Sequence, residues 1–359
     1  MTASDVPMDD LPTESPASPE VPVADGAGPA EPPVAEDRPI SRRKKILALL
    51  LLLLFLVLLL LAVWYLLFRK PIGELIPPVV AQPVPTYQYS LYNFTKPQDV
   101  AVSLDGSRIY ITQTEGTEDT IVTDRQGVKV ATLALPAGTT GHAYYVAVNP
   151  KTGELYASDR RDGAVFVFTA DGTYERVFDP GARIQSWQPL GIGFDAAGNL
   201  FVGDVAGTTA SVHEFGPDGT QLRDYGVTAG LSTPSGIAED AAGNVYVTDT
   251  NNGRLLVFAP SGEQIGSITR GVGEGDLGLP VGVEVDDKGR ILVVDSSASA
   301  VQIYSPIAPG ARTPEYVASF GLQGNADGQF MYPNGIGLDN RGRIYVADWN
   351  NDRLQVWSY

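Results

Sequence analysis

Five aspartates recur at one position of this 359-residue chain: Asp159, Asp204, Asp249, Asp295 and Asp348 each close a short apolar run, with Gln113 standing where a sixth would be. Carboxylates at fixed spacing are the raw material of acid–base catalysis and of metal binding. A catalytic acid is needed once, however, and this one returns five times. An Asp at the head of a turn accepts hydrogen bonds from the backbone N–H groups just after it, and that scaffold role is what the repetition predicts. Arg254 and Arg353, which follow Asn pairs, are expected to serve the same turns. Other reactive groups are few. With no cysteine there is no thiolate nucleophile, no disulfide and no thiolate zinc site. Two histidines, His142 and His213, cannot build a three-histidine zinc site. His213 lies mid-run in "SVHEF", where other copies have Phe166 and Leu256, and reads as a packed side chain. Neither a P-loop nor a nucleophile elbow occurs.

The elements that carry these residues repeat. "LDGSRIYITQ", "PKTGELYASD", "DAAGNLFVGD", "DAAGNVYVTD", "DDKGRILVVD" and "DNRGRIYVAD" align, with their first apolar residue at Ile109, Leu155, Leu200, Val245, Ile291 and Ile344. Each unit holds four short apolar runs joined by Gly, Asp and Asn turns, with period-two alternation and no helical period, which describes an antiparallel four-stranded meander. Six such sheets set radially make a six-bladed β-propeller, an all-β fold that leaves only short protected edges. The last unit stops after three strands at Tyr359. Residues 86–96, which include "YQYSLYNF", are expected to supply the missing strand of blade six, so that residues 86–359 form one closed ring.

The unit "YPNGIGLDNRGRIYVADWNNDRLQVW" and its lead-in "FGLQGNADGQFMYP" resemble NHL repeats, in which Pro-x-Gly, Asp-x-x-Gly, Ala-Asp and Asn-x-Arg fall at these places. The likeness spans residues 97–359 and implies a propeller of the kind that serves as a binding platform. Related propeller lyases and lactonases hold zinc or calcium in the central channel with several histidines or a Glu/Asn/Asp set. The positions that alignment puts at the mouth of the channel here, Gln98, Tyr144, Leu190, Ser235, Val281 and Asn334, are uncharged, so no metal and no cofactor is expected.

Function is expected where the repetition fails. Gly191, Gly236, Gly282 and Gly335 precede the first-strand aliphatic residue in units three to six, but Asp99 and Tyr145 stand there in units one and two. Unit two also has "TGHAYY" for its lead-in and "DRRDG" for its turn, and unit one has the acidic turn "TQTEGTEDT". Asp99, His142, Tyr144, Tyr145, Arg160, Arg161, Trp187 and Trp349 are therefore the candidate site, an aromatic and arginine-rich set of the kind that makes binding hot spots. The expected ligand is a protein, peptide or glycan. A hydrolase or lyase working in the channel is the alternative.

The N-terminal part is of another kind. Residues 1–45 are acidic and proline-rich and too poor in apolar side chains to fold, so they read as a disordered tail. Residues 46–68, "ILALLLLLLFLVLLLLAVWYLLF", carry no charge and at about 1.5 Å per residue suffice to span a bilayer. The span has no small-residue cleavage site after it, which favours a retained anchor over a signal peptide. Arg38, Arg42, Arg43, Lys44 and Lys45 lie before it, against Arg69 and Lys70 after it. That bias predicts a single-pass plasma-membrane protein with its N-terminus cytoplasmic and its propeller outside. Residues 69–85 read as a proline-rich spacer. The net charge of −17 argues against nucleic acid as a partner.

Overall fold

The computed structural model describes residues 42–68, 84–116, 120–181, 184 and 186–359. The chain divides into two units, Met1–Val79 and Val80–Tyr359. In the first, one α-helix runs from Arg42 to Phe68. Leucine-rich and free of Gly and Pro, it has no helix breaker, and its stretch Arg42–Val63 is long and apolar enough to cross a membrane. The four basic residues before the apolar span are the helix's opening residues rather than part of the tail. The expected tail up to residue 41 and the spacer 69–83 lie outside the described residues.

The second unit is a ring of six four-stranded antiparallel sheets, a six-bladed β-propeller. Blade one is built from Pro97–Val102, Ile109–Gln113, Thr120–Thr123 and Lys129–Thr132, counted outward from the axis, and blades two to five follow the same order. Innermost strands of neighbouring blades touch all the way round. Every second strand is covered on both faces, because each blade packs between two others. Ile109 and Ile111 pack toward blade six while Tyr110 between them packs toward blade two. Val245 and Val247 meet blade three, and Tyr246 meets blade five. Six apolar clusters result, one in each gap between blades. This explains why second strands such as "ILVV" read as nearly unbroken apolar runs.

Hydroxyls in the second strands tie one blade to the next. Thr112 Oγ1 donates to the carbonyl of Tyr144 at 2.8 Å, Ser158 Oγ to that of Leu190 at 2.6 Å and Thr248 Oγ1 to that of Val281 at 2.5 Å. At the centre the backbones are so close that a side chain would not fit at most positions. A Cβ on Gly236 would lie 2.6 Å from the carbonyl oxygen of Val281, and one on Gly335 would collide with the Asp99 carboxylate. The blade-two innermost strand is shorter than the others, Tyr145–Val148, in keeping with its altered lead-in.

Blade six takes its outermost strand from the start of the propeller. Thr86–Leu91 pairs antiparallel with Arg353–Ser358, from Thr86 opposite Ser358 to Leu91 opposite Leu354. Tyr87 sets its ring edge-on to Trp357 with centroids 5.9 Å apart, and Leu91 is buried among residues of blades six and one. Deletion of residues 86–91 is expected to strip the ladder partner from an apolar edge and to cost about 3–5 kcal/mol from the lost burial alone. Chemical denaturation of the full chain in detergent should then show a lower midpoint and loss of a single transition. An unchanged midpoint would mean that the strand contributes nothing to closure.

Candidate functional site

The repeated aspartates are buried, and in blades three to six they tie the lead-in loop to the second strand. Asp249 Oδ1 accepts from the backbone N–H of Ser232 and Thr233 at 2.9 and 3.1 Å, while Oδ2 takes the Asn252 amide at 2.6 Å and Arg254 Nε at 2.8 Å. Asp348 repeats this with Met331, Asn351, Arg353 and Gln355. In these two blades the acceptor serves the preceding lead-in rather than the N–H groups just after it. In blade five Asp295 serves both sides, with Gly278 and Leu279 before it and Ser297 and Ala298 after it. Gln113 fills the position in blade one by accepting from Thr95 N at 2.6 Å. Arg254 and Arg353 also reach lead-in carbonyls at Ala229 and Ala326, both at 2.8 Å. All of this is scaffold.

Two blades depart from it. In blade three His213, rather than being a simply packed ring, is the aspartate's partner: Nδ1 lies 2.5 Å from Asp224 Oδ1 and Nε2 3.4 Å from Asp204 Oδ2. Burial opposes the charged imidazole, but the bonds to the two carboxylates outweigh it and raise its pKa above the ordinary value. In blade two Asp159 Oδ1 accepts from Arg161 N at 2.9 Å and Asp162 N at 3.0 Å, yet the buried Oδ2 has no hydrogen-bond donor among the described residues. Burial and the nearby Asp162 charge push the Asp159 carboxyl up; its two backbone bonds and the neighbouring His142 act the other way.

Around this incomplete clamp the structure gathers part of the sequence-predicted site. Asp162 holds the lead-in through Thr140 N at 2.8 Å and Gly141 N at 3.1 Å, which sets His142 and Tyr144 beside the turn bearing Arg160 and Arg161. Trp187, from the lead-in of blade three, donates Nε1 to the carbonyl of Gly163 at 2.7 Å. Arg160, Arg161, Phe178, Pro180, Ile184 and Trp187 thus line a groove of about 630 Å³ between blades two and three. His142 and Tyr144 are exposed and Trp187 is buried as the groove's wall. Trp349 lies apart on the far side of blade one, donating Nε1 to Thr114 Oγ1 at 3.0 Å beneath Lys96. The acidic turn of blade one falls partly on residues 117–119, outside the described residues.

Asp99 and Tyr145 belong elsewhere, to the central channel, a lumen of about 250 Å³. Asp99 is 8 % exposed and accepts from Val146 N at 3.0 Å through Oδ2. Sequence reasoning considered only the mouth of this channel and so missed two further carboxylates on its wall, Glu239 and Glu284. The signal was available. Period-two alternation puts the second residue after Asp99, Tyr145 or the glycines on the lumen face as well, and that position is Ala101, Ala147, Gly193, Ala238 and Gly337 in five blades but Glu284 in blade five. Glu284 lines the lumen and is partly buried there. Burial, and then the Asp99 charge, push its carboxyl up to about 8, while burial takes Asp99 to about 7 against two backbone bonds. Burial and three neighbouring carboxylates take Glu239 to about 7. Among the described residues no three His, Asp or Glu side chains converge as a metal site would require.

An acid whose pKa is raised by folding keeps its proton in the folded chain to a higher pH than in the unfolded one. The cost of carrying Glu284 ionised is therefore absent below about pH 4, grows to about pH 8 and is constant above that. Glu284→Gln is expected to leave stability unchanged at pH 4 and to raise it at pH 9 by a few kcal/mol, at most about 5. Denaturation at the two pH values checks this, and equal destabilisation at both would show that the carboxylate is structurally required.

Known proteins repeat this architecture. The NHL repeat model matches residues 231–258 and 330–357, that is, blades four and six with their lead-ins. Protein lin-41 of Caenorhabditis elegans is 44% identical over 41 residues, which make up 11% of this chain and 4% of that protein's length. Among solved structures, a gluconolactonase of Xanthomonas campestris superimposes with a TM-score of 0.58 at 17% identity, covering 77% of this chain and 94% of the other. The virginiamycin B lyase of Staphylococcus aureus gives 0.52 at 16%, covering 77% and 100%. At such identities these two report the fold alone. The chain is thus a six-bladed β-propeller that carries the NHL repeat signature in blades four and six.

Proposed function

We propose that this protein is a membrane-anchored binding platform that displays its propeller outside the cell and captures a protein, peptide or glycan in the groove between blades two and three. The observation that carries the reading is the groove itself. It stands where the repeated clamp is incomplete, and it brings two exposed arginines beside a rigid aromatic wall. Local departures of this kind are retained at a cost in stability, and function is the usual reason. The apolar helix and the excess of basic residues before it support the anchor and its orientation.

One experiment on whole cells tests both parts. Protease added outside should release the propeller and leave the N-terminal tail protected; a protected propeller reverses the orientation. Without protease, Arg160→Ala with Arg161→Ala should weaken capture of the surface partner by roughly thirtyfold while costing no more than about 0.5 kcal/mol each in stability. Asp249→Ala serves as the opposite control. It strands Arg254 and two lead-in N–H groups, so it should cost about 2–3 kcal/mol with little direct effect on capture by whatever remains folded. Undiminished capture by the arginine variant would sink the groove as the binding site.

A second reading has one observation behind it. Asp99 and Glu284 share the channel with pKa values near 7 and 8, the range in which a carboxyl works as a general acid or base at neutral pH. A hydrolase or lyase acting in the channel would use that pair. Its test is hydrolysis of an aldonolactone by the full chain: a rate above background that falls at least about a hundredfold in Glu284→Gln favours it, and a rate equal to background for this substrate removes lactones from consideration.

A further inference from the structure

The chemistry of the groove names its ligand more closely. We propose that it accepts a short peptide segment carrying one carboxylate beside a bulky apolar side chain; this rests on the binding role given above and specifies what is bound.

The charge argument comes first. The chain is strongly acidic, and its structural arginines have carboxylates of their own: Arg176 pairs with Glu154, Arg254 with Asp249, Arg343 with Asp339 and Arg353 with Asp348. Arg160 and Arg161 are different. Among the described residues the Arg161 guanidinium has no hydrogen bond or ion pair, and that of Arg160 makes one bond, Nε to Gln188 Oε1 at 3.3 Å. The acids nearest to them are committed to the backbone. Asp162 holds Thr140 and Gly141, Asp159 Oδ1 holds the N–H groups of Arg161 and Asp162, and Asp179 accepts from Gly181 N at 2.9 Å. Asp162 and Asp179 line the groove as well, but neither hydrogen-bonds to a guanidinium, so two adjacent planar donor forks face the groove without a carboxylate partner, the arrangement that a ligand carboxylate satisfies.

The wall supplies the second element. Trp187 is fixed by its bond to Gly163, and Phe178 is tilted against it with centroids 6.4 Å apart and packs edge-on to Phe215 at 5.1 Å. The indole N–H is already used, so only ring surface is left to a ligand. Val177, 48 % exposed, and Pro180 and Ile184 continue the apolar lining. Such a wall recognises an aliphatic or aromatic side chain. The Gln188 side-chain oxygen is engaged by Arg160, and the other polar groups of the lining are the two arginines, Asp162, Asp179 and Ser186. The groove holds a few residues of extended chain, and the acidic body of the protein repels a longer run of acids, so a single carboxylate is favoured.

The test uses the full chain in detergent and three defined probes: a fluorescent octapeptide pool with one Asp or Glu flanked by Leu, Phe or Trp, the same pool with Asn or Gln as the acid's isostere, and oligogalacturonate as a carboxylated glycan. Fluorescence anisotropy should show the acidic–apolar pool binding at least about tenfold more tightly than the amide pool. That preference should disappear in Arg160→Ala with Arg161→Ala, and Arg160→Lys with Arg161→Lys should restore only part of it. Equal binding of the acidic and amide pools, or binding of oligogalacturonate but of neither pool, overturns the peptide assignment and leaves the platform standing. Failure of the arginine variant to impair capture on whole cells is the separate result that would remove the platform reading itself.

Discussion

A buried acceptor at the end of the second strand is the interaction on which the ring depends. The lead-in loops approach the ring with backbone N–H groups that need partners, and buried donors left unpaired cost about 1–3 kcal/mol each. An aspartate at that one position, or Gln113 in blade one, meets the requirement for its own blade, except in blade two, where Asp162 takes over the lead-in. Its second oxygen then needs a donor in turn, and the blades find different ones: Arg254, Arg353, the N–H of Gly278, or His213. The repeat is therefore conserved between blades in its acceptor and variable in its donor, and the freedom to vary the donor is what lets single blades acquire other properties.

Most of the fold was legible because both of its signals are local. Turn residues mark every hairpin, and the apolar runs between them have the length and alternation of strands. The closing strand was legible by counting, since blade six lacked a partner and "YQYSLYNF" had none; only its limits differed, because pairing ends at Leu91 where the chain turns toward blade one. What was missed was what only a comparison of all six units around the axis brings out. Glu284 lies in an unremarkable strand, "PVGVEV", and becomes unusual only when six innermost strands converge on one axis and the other five supply glycine or alanine. His213 likewise reads as one more inward residue until Asp204 and Asp224 are seen on either side of it.

The candidate site was partly legible for the same reason. Departures from the repeat pointed to blade two and its neighbours, but sequence places residues along strands rather than around them. Asp99 and Tyr145, which replace glycine, turn to the channel, whereas Arg160 and Arg161 stand on the outer side of their turn with Trp187 brought to them from the next blade. One list of residues thus divides between the channel, which takes Asp99 and Tyr145, and the groove, which takes Arg160, Arg161 and Trp187, with Trp349 in neither. Glycine at Gly335 is part of this division, because its missing side chain is the space in which the Asp99 carboxylate sits.

The clasp between Thr86–Leu91 and Arg353–Ser358 also dictates an order of events during synthesis. Leu91 and Leu354 are ladder partners at opposite ends of the propeller sequence, so the pairing that seals the ring is its most non-local contact. Blades one to five contain all their own strands and can form as the chain emerges, whereas the first strand made has to wait for the last. Through that interval its partner edge does not exist, and the first strand after the apolar helix in sequence is the one left without a sheet. The step that completes the molecule therefore waits until residues 353–358 have been made, and a chain lacking them would carry five sound blades and an open ring.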